Sequence, residues 1–461
     1  MALTIAASAA ADDLRVRMGG TVLAASDADY DNARRVWNGA VDRSPALIAR
    51  CADERDVSLA VRVAREHGLP LSVRGGGHDW AGRAVRDGGL VVDLSGMRRA
   101  IPHPDTATAD VQGGTRAGDL VAATNPYGLV PVTGTVKAVG LTGLTLAGGY
   151  GLLAGRHGLA LDNLVAARVV LADGTAVTTD AERNPDLFWA LRGGGGNFGV
   201  VTDARYRVHP IRTLVSGLLL FPLEQATQVL TGYRELIAHA PDELTVMAGF
   251  FCGEDGKPML FLLPAWCGRE AAAQPDTARL TGLGTPIMSD VTSRSYQDTL
   301  GLFDASIVNG RYNEMRTCWL AELTPAAIDS IVGAAERITS PLSGLFLHHF
   351  HGAAGRVPVA DTAFALRTDH LLVEIVGAWL PGVGDDGVVH QHWARSLAAE
   401  LAGAALPGGY ANLLGPDETG RALRGYGPNA DRLLALKRRF DPDHVFSAVP
   451  TLPDRLPDRT T

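Results

Sequence analysis

The stretch "LPLSVRGGGHDWAG", residues 69–82, runs a short apolar strand directly into three glycines and a histidine. Upstream, "PALIARC" (45–51) is a second apolar run of strand length. Between them "DERDVSLAVRVAREHG" (53–68) places Val57, Ala60, Val61 and Ala64 at helical spacing on one face. Strand, helix and strand make a βαβ unit, because parallel strands need such a crossover. Gly75, Gly76 and Gly77 then fall at the carboxyl end of a strand, where open α/β units take their ligands. Successive amides free of side chains can form an anion-binding nest, and Arg74 beside it has the charge to meet a pyrophosphate. No GxxxxGK[ST] motif occurs, and no GxGxxG opens a helix after the first strand, so neither the P-loop nor the Rossmann fingerprint explains the glycines.

Working outward, residues 128–151, "GLVPVTGTVKAVGLTGLTLAGGYG", are glycine-rich and almost uncharged, which suits packing against a large, flat, mostly apolar ligand. A third glycine loop, 193–199, lies between a predicted helix and strand in "NPDLFWALRGGGGNFGVVTDARYRVHP" (184–210). Three separated loops can hold one extended cofactor along its length. From residue 213 to about 405 the texture changes to strand-like runs such as "LTVMAGFF", "PMLFLLPAW" and "HLLVEIVGAW" alternating with helical stretches. That pattern predicts an antiparallel sheet with helices on one face, an α+β arrangement. The tail from 406 contains a helix ended by Asp-Pro and is expected to return to the first domain.

The totals limit the partners. A chain of 461 residues exceeds one ordinary core. A formal charge of -8 gives no electrostatic reason to expect nucleic acid or an anionic membrane. The four cysteines, Cys51, Cys252, Cys267 and Cys318, show no CxxC pairing, so no disulfide framework or metal site is expected. The first 25 residues read as a frayed extension rather than a signal peptide, and no run of 18 apolar residues occurs. The expected location is the cytoplasm, the partner is a small molecule, and monomer and homodimer both stay open.

The segments "SVRGGGHDWAG", "GLTLAGGYGLLAGRHGLALDNL", "NPDLFWALRGGGGNFGVVT" and "YANLLGPDE…YGPNADRLLALKRRFDPDHVF" together resemble FAD-linked oxidases of the berberine-bridge-enzyme type. The resemblance runs in order from about residue 26 to 447. It implies an α+β fold with a PCMH-type FAD-binding domain of two α/β subdomains (26–212), a substrate domain (213–405) and a C-terminal segment (406–461). It makes His78 the residue that carries the 8α-methyl of FAD. The cofactor would also meet Arg74, Gly75, Gly76 and Gly77 in the first loop, and Gly134, Thr135, Val139, Gly140, Gly143, Leu144, Gly149 and Gly151 in the second. Asn163, Gly199, Val200, Val201 and Asn412 complete the expected set. Many members add a second bond from a cysteine; this chain has Val136 there, which implies a single attachment. Valine at 139, beside the flavin edge, goes in related enzymes with access for dioxygen as electron acceptor.

The resemblance also puts Tyr410 over the flavin as a catalytic residue, a base if its neighbours lower its pKa from about 10. A bonded core tyrosine is the alternative. Tyr150 either packs against the ring or lines the pocket. In "FLHHFHG", His349 and His351 share one side of a strand and His348 the other. His351 is expected to act as base and His349 to bind substrate, no carboxylate or cysteine being placed to complete a metal site with them. Glu374 faces the same cavity or pairs within the sheet. Three functions compete: an oxidase acting on an alcohol or phenol-type natural-product intermediate, a flavin oxygenase that rearranges a polyketide, and a flavin-holding metabolite-binding protein without turnover.

Overall fold

The computed structural model describes residues 2–382, 387–450 and 452. Three sheets organise the chain. In the first, Leu47–Arg50, Leu90–Asp93 and Leu71–Arg74 run parallel in that spatial order, and Thr21–Leu23 adds antiparallel at the edge. The two strands of the sequence-predicted βαβ unit are therefore not neighbours, and Leu90–Asp93 lies between them. The crossover helix Glu54–Glu66 starts where the Asp53 side chain accepts the Asp56 amide, and it buries Val57, Ala60, Val61 and Ala64.

The start of the chain corrects the expectation of a frayed extension. Ala2–Arg17 is a helix whose Ala10, Ala11 and Leu14 are buried in the same core as Val57 and Val61. Its alanines are small enough to let two helices approach closely.

The second sheet is antiparallel throughout and centres on Val200–Pro210, flanked by Thr108–Gln112 and Leu164–Val170. Its antiparallel pairing makes this half α+β in character rather than α/β. The third sheet has nine strands, all antiparallel. Helices Ala226–Ile237, Pro325–Glu336 and Val388–Leu401 cover one face of it, sharing a core with Val246, Leu345, Leu347, Val373 and Ile375. The opposite face turns toward the first two sheets. The fold is α+β, and the site lies between these layers.

The C-terminal segment ties the halves together. Helix Ala430–Phe440 carries Lys437, which is buried and donates to Asn197 O at 2.8 Å, Phe446 O at 3.1 Å and Asp441 Oδ2 at 2.5 Å. Arg316 of the nine-stranded sheet reaches Asp417 and Glu418 at 2.9 and 3.1 Å. Among the described residues no helix is long and apolar enough to cross a membrane.

Candidate active site

A cavity of about 360 Å³ runs between the glycine loops and the uncovered face of the large sheet. One wall is backbone. Gly75, Gly76, Gly77 and His78 line it with Gly134, Thr135, Val139, Gly140, Gly143 and Leu144, and Gly199, Val200 and Val201 extend it. Glycine serves two purposes here. Gly77 has φ +68, a left-handed conformation that aims His78. At Gly76 a Cβ would lie 2.3 Å from Gly140 N, so here glycine lets two loops touch.

His78 is enclosed. Its ring stacks on Trp37 with centroids 4.8 Å apart and an 18° interplanar angle, and its Nε2 is buried without a hydrogen-bond partner. Burial, and then the Arg116 charge, lower its pKa to about 4, so the imidazole is neutral near pH 7. The loop beyond it is tied to the C-terminal segment through Trp80 Nε1, which donates to Leu413 O at 3.0 Å.

The other wall is side chains. Tyr410 is buried, and its hydroxyl accepts the Gly149 amide at 2.9 Å and Asn412 Nδ2 at 3.2 Å. Burial outweighs these donors and raises its pKa to about 12. The condition attached to a Tyr410 base, neighbours that bring the pKa down, is therefore not met. Asn412 also donates to the Gly143 and Leu144 carbonyls at 3.2 and 3.3 Å, fixing Tyr410 to the second glycine loop. Tyr150 lines the cavity with its ring and turns its hydroxyl to His370 Nε2 at 2.8 Å. His370 Nδ1 lies 2.7 Å from the Thr368 carbonyl, so Nδ1 carries the proton and Tyr150 is the donor to Nε2.

The histidines fall opposite to expectation. Leu345 and Leu347 belong to the helix-covered core, and His349 follows in the same phase, paired with Leu371. His349 stacks on His351 at 3.8 Å and 4°, and His351 meets Thr245 Oγ1 at 3.3 Å, away from the cavity lining. His348 lines the cavity instead, with its Nε2 3.0 Å from Glu374 Oε2. Phe346, opposite Glu374 in the register, lies on this same face.

Four other expected residues are absent from the lining. Arg74 lies behind the lining: it donates to the Ala33 carbonyl and packs against Gly77, where a Cβ would lie 3.3 Å from its Nε. Asn163 spends its amide on the His157 and Leu159 carbonyls and accepts from His209. At Gly149 and Gly151 a Cβ would collide with Ala160 Cβ at 2.4 Å and Thr133 O at 1.8 Å, so these glycines serve packing. Trp37, Trp80, Met315 and Leu372 line the cavity without having been singled out, and so does His348, to which the sequence assigned no role. The alternation of "GLFLHHFHG" was the signal available for His348, but both phases of that strand are apolar.

A backbone cradle, apolar walls and a neutral histidine with an unpartnered ring nitrogen fit a flavin. Two family models match the chain: an FAD binding domain over residues 45–180, and a berberine and berberine-like domain over 409–451. The (R)-6-hydroxynicotine oxidase of Paenarthrobacter nicotinovorans is 32% identical over 447 residues, covering 93% of this chain and 95% of that protein. This chain belongs to the berberine-bridge-enzyme-like family of FAD-linked oxidases. It is an FAD-linked oxidoreductase, as its relatives are. The crystal structure of 6-hydroxy-D-nicotine oxidase from Arthrobacter nicotinovorans superposes with TM-score 0.85 at 29% identity, covering 95% of this chain and 99% of that one. A glucooligosaccharide oxidase from Acremonium strictum, whose FAD is 6-S-cysteinyl and 8α-N1-histidyl, shares the fold at TM-score 0.84 and 22% identity, covering 99% and 100%.

Proposed function

We propose that this family member is an oxidase whose FAD is bonded through His78 alone. It would take a hydride from a small alcohol or phenol-type molecule and return the electrons to dioxygen as hydrogen peroxide. One observation carries the reading. An enclosed neutral imidazole lines the same apolar cavity as Tyr410 and the His348–Glu374 pair. Single attachment rests on Val136 in the lining and on four free cysteines, none of which lines the cavity.

FAD supplies the hydride acceptor and the route of electrons to dioxygen. The chain's own residues handle the rest. Tyr410, held by Gly149 and Asn412, stays protonated at neutral pH and directs its O–H to the substrate oxygen. Removing that proton at pH 7 would cost about 7 kcal/mol for a phenol of pKa about 12. The proton of the reacting hydroxyl therefore goes to Nδ1 of His348, while its Nε2 faces Glu374 Oε2 at 3.0 Å and the carboxylate balances the charge gained. Trp80, Met315, Leu372 and Leu413 keep water from that transfer. Val139 brings no hydroxyl to its part of the wall, which favours oxidase over oxygenase chemistry.

The test is anaerobic mixing with a panel of phenols, secondary alcohols, sugars and amines, followed by air. The expected result is bleaching by one class and one peroxide per turnover. Isotopic oxygen from dioxygen in the organic product would replace this reading with the oxygenase one. Tight binding without bleaching across the panel would favour the non-catalytic one.

A further inference from the structure

Trp37 belongs to "RRVWNGAVD" (34–42), a stretch that the glycine motifs leave unexplained. It lies against His78 through a near-parallel ring stack, and both residues line the cavity. No hydrogen bond among the described residues fixes the His78 ring, and Trp37 Nε1 is likewise buried without a partner. The indole is therefore not held by its polar atom. What holds it is the backbone around it. Trp37 N donates to Gly77 O at 2.9 Å, and Trp37 O accepts from Gly310 N at 3.0 Å.

Asn38 completes the anchorage. Its Nδ2 donates to Trp80 O at 2.7 Å and Asn313 O at 3.0 Å, while Oδ1 accepts the Asn313 and Ala40 amides at 2.9 and 3.1 Å. Three of these four bonds join the His78 loop to strand Tyr312–Leu320 of the large sheet, and the fourth closes a local turn on Ala40. Gly39 packs so closely there that a Cβ would lie 2.2 Å from Gly310 O. A rigid tripeptide thus presents one flat aromatic face to one imidazole.

From this geometry we propose that Trp37 is a positioning residue for covalent attachment of the flavin. The inference rests on the reading that His78 carries the FAD. In that reaction a bond forms between a ring nitrogen of His78 and the 8α carbon. One 8α C–H bond and the imidazole N–H bond break, and two protons leave. The two electrons remain on the isoalloxazine and pass with those protons to dioxygen, giving hydrogen peroxide. The attacking lone pair lies in the imidazole plane, so rotation of the ring about Cβ–Cγ swings it away from the carbon. Stacking on Trp37 opposes that rotation without occupying either nitrogen, which a hydrogen bond would do.

The experiment follows attachment itself. Apoprotein from a riboflavin-limited host is mixed with FAD in air, and intact mass over time gives the covalent fraction. Absorbance after desalting gives total bound FAD. Trp37→Leu is expected to slow attachment about tenfold or more at saturating FAD, as misplacement of a reacting group does. Trp37→Phe, which keeps a flat ring, should restore the rate to within about threefold of wild type. Attachment by Trp37→Leu at the wild-type rate would overturn the inference, and so would Trp37→Phe as slow as Trp37→Leu. Should Trp37→Leu fail to fold, Trp37→Met takes its place, with the same slow attachment expected and a wild-type rate again fatal. Absence of covalent flavin from the wild-type protein would instead remove the His78 reading on which the inference stands.

Discussion

The two long walls of the cavity are made of different material. The wall proposed to hold the cofactor is backbone: Gly75 to Gly77, the loop from Gly134 to Leu144, and Gly199 to Val201. The facing wall is side chains: Met315, His348, Leu372 and Glu374 from three strands of the large sheet, with Tyr410 and Asn412 from the C-terminal segment. A backbone wall depends on where side chains are missing, and loops pressed together tolerate no Cβ. A side-chain wall depends on which face each strand turns inward. The first should fail through loss of cofactor. The second should fail through loss of chemistry with the cofactor still in place.

The sharpest break of that contrast comes from beneath the backbone wall, where one side chain fastens it. Lys437 joins the Asn197 carbonyl of the third glycine loop to Phe446 and Asp441. Lys437→Met leaves the Asp441 carboxylate buried without its counter-charge, at an expected cost of about 3–5 kcal/mol. Denaturant unfolding checks the stability, and FAD content should fall with it. Gly76→Ala comes next. Its Cβ would meet Gly140 backbone, which cannot yield as a side chain end would, so a loss of about 1–3 kcal/mol and of most bound FAD is expected. Absorbance of the purified protein reads the FAD directly.

Glu374→Gln tests the opposite wall. It keeps the size but removes the carboxylate proposed to support proton transfer to His348, so anaerobic flavin reduction should slow about a hundredfold at unchanged FAD content. Tyr410→Phe removes the proposed donor to substrate and leaves the Gly149 amide without its acceptor. A slowing of about tenfold is expected, because the tyrosine is already protonated and its loss removes one hydrogen bond. A fall in FAD content for either variant, matching that of Gly76→Ala, would erase the distinction between the walls.

The same contrast governs what could be read from the chain. Glycine clusters at 75–77 and 134–143 marked the backbone wall because a missing side chain is visible whichever way the chain faces, whereas Gly149 and Gly151 serve packing outside the lining. The reading departs from the structure where a polar residue serves local structure, as Asn163 does by satisfying the His157 and Leu159 carbonyls. On the facing wall the strand period of two correctly separated His348 from His349 and His351. It could not assign the faces, because "GLFLHHF" presents Leu345 and Leu347 in one phase and Phe346 and Phe350 in the other. Only the pairing with Leu371 and Leu372 decides between them. Trp37 escaped because its role depends on a contact across 41 positions of sequence, and no local pattern encodes such a contact.

The smallest effect is expected at the histidine that sequence spacing favoured. His351 stacks on His349 and touches Thr245, beyond the cavity, so His351→Gln should leave anaerobic flavin reduction within about twofold of wild type. Its influence belongs to acid stability. Burial lowers the His351 pKa to about 4, below the ordinary value near 6.5. As pH falls from 6.5 towards 4, the unfolded chain takes up this proton and the folded one does not, so stability is lost across that window. One such group accounts for up to about 3 kcal/mol. Glutamine binds no proton in either state, so the variant should lose less stability than wild type between pH 6.5 and 4. Unfolding free energies at pH 7 and pH 5 measure this directly. A variant as acid-sensitive as wild type, or one whose flavin reduction collapses, would return His351 to the substrate side and undo the assignment of faces.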